Sequence, residues 1–233
     1  MTELRLEGVT FDYPDGTRAL DGIDLRIEPG AALALIGANG SGKTTLARHL
    51  DGLLRPTSGR VLLDGEDTTK MRVAQLARSV GLCFQLPDRQ IFASNVRDEV
   101  EFGPHHQGFD TEDAFARTTA ALERVGMADQ LGTHPGDLGE TRRKLLTIAS
   151  VLAMETPVVV LDEPTTGLDT RGVELVSNIL SDLTGEGRSV VGISHDMRFV
   201  AQTFDHVAVL DRGRVTRAGT PAEVFAEASW PAL

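Results

Sequence analysis

The sequence predicts an α/β protein: a mainly parallel sheet with helices on both faces, an antiparallel β segment near its start and an all-helical insertion in its middle. Three features of the chain point there. Apolar runs at 31–36, 158–161 and 189–193 are too short for helices and alternate with helix-patterned stretches, as strands buried on both faces of a sheet do. The run Gly37-Ala38-Asn39-Gly40-Ser41-Gly42-Lys43-Thr44-Thr45 joins the first of these strands to a helix-like run at 46–50, and it fills every fixed position of the phosphate-loop pattern G-x-x-x-x-G-K-[ST]. From 86 to 154 the strand signals vanish and three helical runs replace them.

Taken in order, residues 3–9 alternate polar and apolar, with Leu4 and Leu6 on one face, and predict a half-exposed strand. Phe11-Asp12-Tyr13 leads into the turn Pro14-Asp15-Gly16, and a second alternating run carries Ile23, Leu25 and Ile27 to the turn Pro29-Gly30. These strands are expected to be antiparallel and to flank the buried strand at 31–36. After the phosphate loop and its helix, Pro56-Thr57-Ser58-Gly59 breaks the chain, a short strand at 60–63 ends at Asp64-Gly65, and a helix around 73–78 leads to a strand at 80–84. Helical runs follow at 96–102, 112–125 and 142–154. Near Pro157 the alternation resumes, with strands at 158–161, 189–193, 207–210 and 214–217 and helices at 173–183 and from Asp196. Thr220, with Pro221 in the first turn, caps a last helix. The expected layout is one domain in which residues 1–85 and 156–233 form the core and 86–155 the helical insertion.

Composition narrows the class of function. The 233 residues are enough to bury a real core in one or two domains, and the net charge of -11 leaves no basic excess to displace counterions, which argues against a nucleic-acid partner. Cys83 is the only cysteine, so neither a disulfide within the chain nor a cysteine-based zinc site can form, and a reducing compartment fits. Residues 1–5 lack the apolar core of a signal peptide, and no apolar run approaches the roughly 20 residues of a membrane-spanning helix. Any role at a membrane is expected to come through a partner, without direct insertion.

A loop that wraps a polyphosphate must bring backbone N–H groups to the oxygens, and side chains at Gly37, Gly40 or Gly42 would block that approach or forbid the dihedrals. Lys43 offers a point charge to the β and γ phosphates, the Thr44 hydroxyl is placed to ligate magnesium, and the following helix aims its positive end at the anion. The strand at 158–161 runs into Asp162 and Glu163. In a phosphate-loop ATPase the first carboxylate would hold magnesium through water and the second would polarise the attacking water.

With both motifs present, the chain resembles the nucleotide-binding subunits of ATP-binding cassette (ABC) transporters over essentially its whole length. The resemblance implies a RecA-like core, ATP and Mg2+ as cofactors, and hydrolysis between two such subunits. Asp162-Glu163-Pro164-Thr165-Thr166-Gly167-Leu168-Asp169 is similar to the family's Walker B and D-loop run, which implies that Asp169 contacts the opposite subunit. Gly192-Ile193-Ser194-His195-Asp196 resembles the switch-histidine segment, so His195 would bridge the γ-phosphate and Glu163. Tyr13 stands where the family stacks an aromatic ring on adenine, and Gln85 where it places the Q-loop glutamine beside the metal and its water. The stretch from Phe84 through Pro87-Asp88-Arg89-Gln90-Ile91-Phe92 to Gly103-Pro104 resembles the energy-coupling factor (ECF) branch, importers of vitamins and transition-metal ions. That branch implies a transmembrane scaffold protein, a substrate-capture subunit and a peripheral seat on the cytoplasmic side of the membrane.

One motif departs from the family. Counting back from Asp162 puts the signature loop, normally Leu-Ser-Gly-Gly-Gln, at Leu138-Gly139-Glu140-Thr141-Arg142. Its serine and both its glycines are missing at those positions; a shifted register, with Gly139-Glu140 as the last two positions, softens the departure but needs an indel near a helix start. Gly139 offers no hydroxyl and Glu140 carries negative charge towards a triphosphate, so the site completed by this loop should hydrolyse slowly. A homodimer would pair every good phosphate loop with a poor signature, which favours a heterodimer. Two other readings stand beside transport: a soluble ABC ATPase outside transport, and a regulatory subunit next to an active paralogue. The short stretch after Thr220 leaves little room for a C-terminal dimerisation extension, so single-vitamin import such as biotin is expected, with cobalt or nickel as rivals.

Overall fold

The computed structural model describes residues 2–226. Two sheets share the work of burying the chain. β1 (Leu4–Asp12), β2 (Arg18–Ile27), β4 (Ser58–Leu63) and β5 (Glu66–Asp67) form an antiparallel sheet in the order β2-β1-β4-β5. β3 (Ala32–Ile36), β6 (Val80–Cys83), β7 (Val158–Asp162), β8 (Ser189–Ile193), β9 (His206–Asp211) and β10 (Arg214–Gly219) form a second sheet in the order β10-β9-β3-β8-β7-β6. It is parallel except for β10, which hairpins back along β9.

The expectation that the first two strands flank the buried strand at 31–36 is corrected. β1 pairs with β2 and β4, while β3 pairs with β8 and β9. The reason is in the patterning. β3 is buried along its whole length, so it needs apolar cover on both faces, whereas β1 alternates and has only one apolar face to give. That face, with Leu4 and Leu6 of β1 beside Ile27 of β2, shares a cluster with Leu33 and Leu35 of β3 and with Leu46 and Leu50. The opposite face of β3, with Ala32, Ala34 and Ile36, belongs to the second cluster. Successive strand residues point to opposite faces, and β7 divides in the same way, Val158 and Val160 to one core, Val159 and Leu161 to the other.

α1 (Lys43–Leu50) follows β3 and starts three residues before the apolar run that predicted it. After α2 (Val73–Leu76) and β6 come α3 (Val96–Gln107), α4 (Thr111–Arg124) and α5 (Glu140–Ala153). The Asn95 side chain accepts from Asp98 N at 2.8 Å and the Asp110 side chain from Asp113 N at 2.9 Å, capping α3 and α4. Val100, Leu122 and Leu146 of these helices lie in one cluster with Val159 and Val176, so the helical segment is fused to the sheet. Buried Glu99 accepts from Phe92 N and Ala93 N at 3.0 and 2.9 Å, fixing the loop that enters α3. α6 (Thr170–Gly185) and α7 (Met197–Thr203) cover the same face, and α8 (Pro221–Phe225) carries the expected cap at Thr220, which Glu223 completes as a capping box. Among the described residues no helix is long and apolar enough to cross a membrane.

Candidate nucleotide-binding site

The C-terminal ends of β3 and β7 and the start of β2 meet around a cleft of about 340 Å3. The loop between β3 and α1 is held by packing that only glycine permits. A Cβ on Gly37, at φ 148°, would lie 2.1 Å from the carbonyl oxygen of Leu210, and one on Gly42, at φ 108°, 2.6 Å from that of Ala19. Ser41 closes the loop with its N–H on Ala38 O and its carbonyl on Gly213 N. Lys43 Nζ donates to the carbonyls of Gly37 and Ala38 at 2.7 and 3.0 Å. Burial pushes its ammonium down from the usual lysine range, against the opposing pull of Glu163 and Asp162.

The next side chains bring the second motif to the first. Thr44 Oγ1 donates to Asp162 Oδ2 at 2.9 Å across 118 positions of sequence. Burial pushes the Asp162 carboxyl up from its ordinary range, and the Thr44 hydrogen bond pulls it back. Glu163 has a positive φ of 51° and donates its N–H to Ile193 O at 2.9 Å, a strained backbone held by the neighbouring strand. Its Oε2 lies 2.8 Å from His195 Nδ1; the glutamate side chain is 11% exposed and the histidine 72%. Tyr13 sits at the mouth with its hydroxyl 3.0 Å from Thr45 Oγ1 and its ring edge-on to Phe11, centroids 4.9 Å apart. Asn39, Gly40 and Gln85 also line the cleft, with Thr17, Arg18 and Ala19 at the start of β2 and Ile193 at the end of β8.

Of the residues the sequence singles out, Tyr13, Asn39, Gly40, Gly42, Lys43, Thr44, Thr45, Gln85, Asp162 and Glu163 line this cleft, and a second group lies outside its lining. Gly139 caps α5 without a side-chain hydrogen bond, Leu138 is buried, and Glu140 is exposed. Thr141 Oγ1 donates to Gly167 O at 3.3 Å, and Asp169 accepts from Gly172 N at 2.8 Å, capping α6. Lys144 stands in none of these motifs, and Gln90, which lies in the stretch similar to the energy-coupling factor branch, carries a structural role the motif does not spell out. Lys144, only 2% exposed, donates from Nζ to the carbonyls of Phe84, Gln85 and Asp162 at 3.2, 3.0 and 3.3 Å. Gln90 accepts from Phe84 N and donates to Thr147 O, both at 3.0 Å. The available signal was a lysine on the apolar face that Thr147, Ile148 and Val151 share at helical spacing.

A strand, phosphate loop and helix facing a buried carboxylate pair define a phosphate-loop nucleotide-binding protein. The chain belongs to the ABC transporter family, as an ATP-binding ATPase of the energy-coupling factor type: the family model described as ABC transporter matches residues 20–166. It is 40% identical over 227 residues to the energy-coupling factor transporter ATP-binding protein EcfA of Methanothermobacter thermautotrophicus, covering 97% of this chain and 73% of that one. Against EcfA of Methanocaldococcus jannaschii it is 41% identical over 219 residues, 93% and 78% of the two chains. Among solved structures, cbiO1 of Clostridium perfringens, part of the ABC transporter complex cbiONQ, matches with a TM-score of 0.86 and 37% identity over 96% of this chain and 90% of that one. The dimeric ATP-binding cassette MJ0796 bound to ADP and Pi has a TM-score of 0.86 at 25% identity, covering 94% and 98%.

Proposed function

We propose that this chain is the ATP-hydrolysing subunit of an energy-coupling factor importer and works as one half of a pair. The convergence of Lys43, the Thr44–Asp162 contact and the Glu163–His195 contact in one cleft carries the reading. The EcfA and cbiO1 relatives point it to import. In this reading the loop at Gly37 cradles the β and γ phosphates with the N-terminal end of α1 behind it, and Tyr13 offers its ring to adenine.

Magnesium suits the donors present. The Thr44 hydroxyl and Asp162 carboxylate meet as a pair of hard oxygens with Gln85 at the rim. No cluster of three or more His, Cys, Asp or Glu occurs among the described residues, which fits an ion that takes its other ligands from phosphate and water. Bound there it would neutralise charge on the phosphate oxygens. Glu163, held by its backbone and by His195, aims a carboxylate at the water attacking the γ-phosphorus and takes up its proton.

Leu138, Gly139, Glu140, Thr141 and Asp169 lie outside this cleft, and we assign them to the site of a second ATPase subunit. Because Gly139 brings no hydroxyl and Glu140 brings a negative charge, a partner with a standard loop is favoured. Leu86, Phe92 and Phe102 are 50%, 64% and 43% exposed, and Phe92 lines a cleft with Asp88, His134 and Arg143. A helix of the transmembrane scaffold seats there, near Gln85 to Phe92 on the cytoplasmic face, and closure of the ATPase pair around ATP rocks that membrane partner. The cargo, passed on by a capture subunit, is a vitamin such as biotin or a cobalt or nickel ion.

Affinity purification from detergent-solubilised membranes tests this. The expected result is a multi-span scaffold and a second ATPase in the eluate, with MgATP turnover lost on Glu163→Gln. A stable soluble complex lacking any membrane protein would overturn import, and no ATP binding would overturn the nucleotide reading. The departure at Gly139 and Glu140 also favours a regulatory role beside an active paralogue. Turnover per dimer in mixtures of wild type and Glu163→Gln separates the two.

A further inference from the structure

The two strand ends that carry the candidate metal and water ligands meet at one buried ammonium. Lys144 lies in the first half of α5, and its three acceptors are main-chain oxygens: Phe84 and Gln85, just past β6, and Asp162, at the end of β7. An ammonium has three protons, and each finds a carbonyl here, so a charge that is 98% withdrawn from solvent is fully satisfied. Gln90 closes the same junction from the other side, taking the N–H of Phe84 and giving an N–H to Thr147 O on α5. Arg143 Nη1 adds a 2.7 Å contact to Asp88 at the surface. α5 is therefore bonded to both strand ends that present Gln85 and Asp162.

We propose that Lys144 is a positioning residue for metal–nucleotide binding, its ammonium fixing the main chain of Gln85 and Asp162 at the separation a shared magnesium ion requires. This rests on the ATP-site reading above. Lys144 touches neither nucleotide nor metal; it acts through the two residues that do. Because it belongs to the helix that begins at Gly139, it also makes the geometry of this chain's own metal site depend on where α5 stands. A movement of α5 that shifts its Nζ pulls the Gln85 and Asp162 carbonyls with it.

The test titrates magnesium chloride against the full chain with a fluorescent, slowly hydrolysed ATP analogue, and repeats the nucleotide titration in EDTA. Lys144→Met removes all three hydrogen bonds. Its half-saturating magnesium is expected to rise roughly 10- to 100-fold, the usual cost of losing a group that orients metal ligands, while affinity in EDTA stays within twofold. Lys144→Gln, which keeps amide donors, should fall between Met and wild type. Thermal unfolding monitors the fold, and if Lys144→Met does not fold, Lys144→Gln and Gln90→Leu carry the comparison. A folded variant with wild-type magnesium dependence overturns the proposal, as does an equal loss with and without magnesium. Failure of the wild-type chain to bind the analogue in either arm would instead defeat the ATP-site reading.

Discussion

Gly139→Ser puts back one hydroxyl at the head of α5, and the structure says what it should do. Gly139 sits at φ -65° and ψ 162°, a conformation open to any residue, and a Cβ there meets nothing within 4 Å. The substitution is free of strain and adds the missing cap oxygen. Serine in place of glycine at a cap is worth a few tenths of a kcal/mol, or a rise of about 1 °C in Tm for a chain of this length. The catalytic effect should be far larger. One hydrogen bond to a charged group contributes about 1.5–3 kcal/mol, so a hydroxyl that meets the γ-phosphate held by the other subunit raises kcat about 10- to 100-fold. Adding Glu140→Gly removes the like charge and should raise it further. The assay is steady-state hydrolysis at saturating MgATP by the complex with its membrane partners, with Tm read alongside. A kcat unchanged within twofold, with Tm slightly raised, would show that this hydroxyl does not reach phosphate and would refute the assignment of the loop to a shared site.

Glu163→Gln should lower kcat about 10²- to 10⁴-fold with ATP still bound, since the amide keeps the shape of the carboxylate but cannot take a proton; single-turnover hydrolysis checks it. Gly37→Ala sets a methyl 2.1 Å from Leu210 O at a positive φ, so the loop and β9 must part; a loss of about 3 kcal/mol in urea unfolding and failure to bind ATP are expected. Asp51, buried at the end of α1, has its carboxyl pushed up by burial from 3.8 to about 6. A carboxyl raised in the folded state costs stability above that folded value, and the cost fades as pH falls towards 3.8. Asp51→Asn keeps the acceptor for Leu53 N and should stabilise by at most about 3 kcal/mol at pH 8, with almost no effect at pH 4, as paired denaturation curves will show.

Much of this was legible because the signals are local. The phosphate loop is contiguous, the carboxylate pair ends an apolar run, and period-two alternation told singly buried β1 from doubly buried β3. Which strands pair was not legible in the same way. Leu4 finds Ile27 and Leu63 rather than β3 because sheet partners are chosen by the fit of whole faces, and nothing near Leu4 encodes that. The contact of Thr44 with Asp162 could be anticipated only as two ends of known motifs, and the backbone strain at Glu163 only from the fold. Lys144 was not legible because a lysine that closes the basic run Arg142-Arg143-Lys144 in a helix usually reaches solvent, and only the convergence of two strand ends gives it a buried destination.

The pairing of β3 with strands far downstream sets a clock on synthesis. Ala32 meets Val190, and Leu33 meets His206, about 150 or more residues later. At about 5–20 residues per second, roughly 10–30 s pass between translation of the phosphate loop and translation of the strands that flank it. During that interval β1, β2 and β4 can pair among themselves, since their partners are already made. The fully apolar β3 must wait with both edges open, sheltered only by that first sheet and α1, and the loop it carries cannot take its nucleotide-binding shape until nearly the whole chain has emerged.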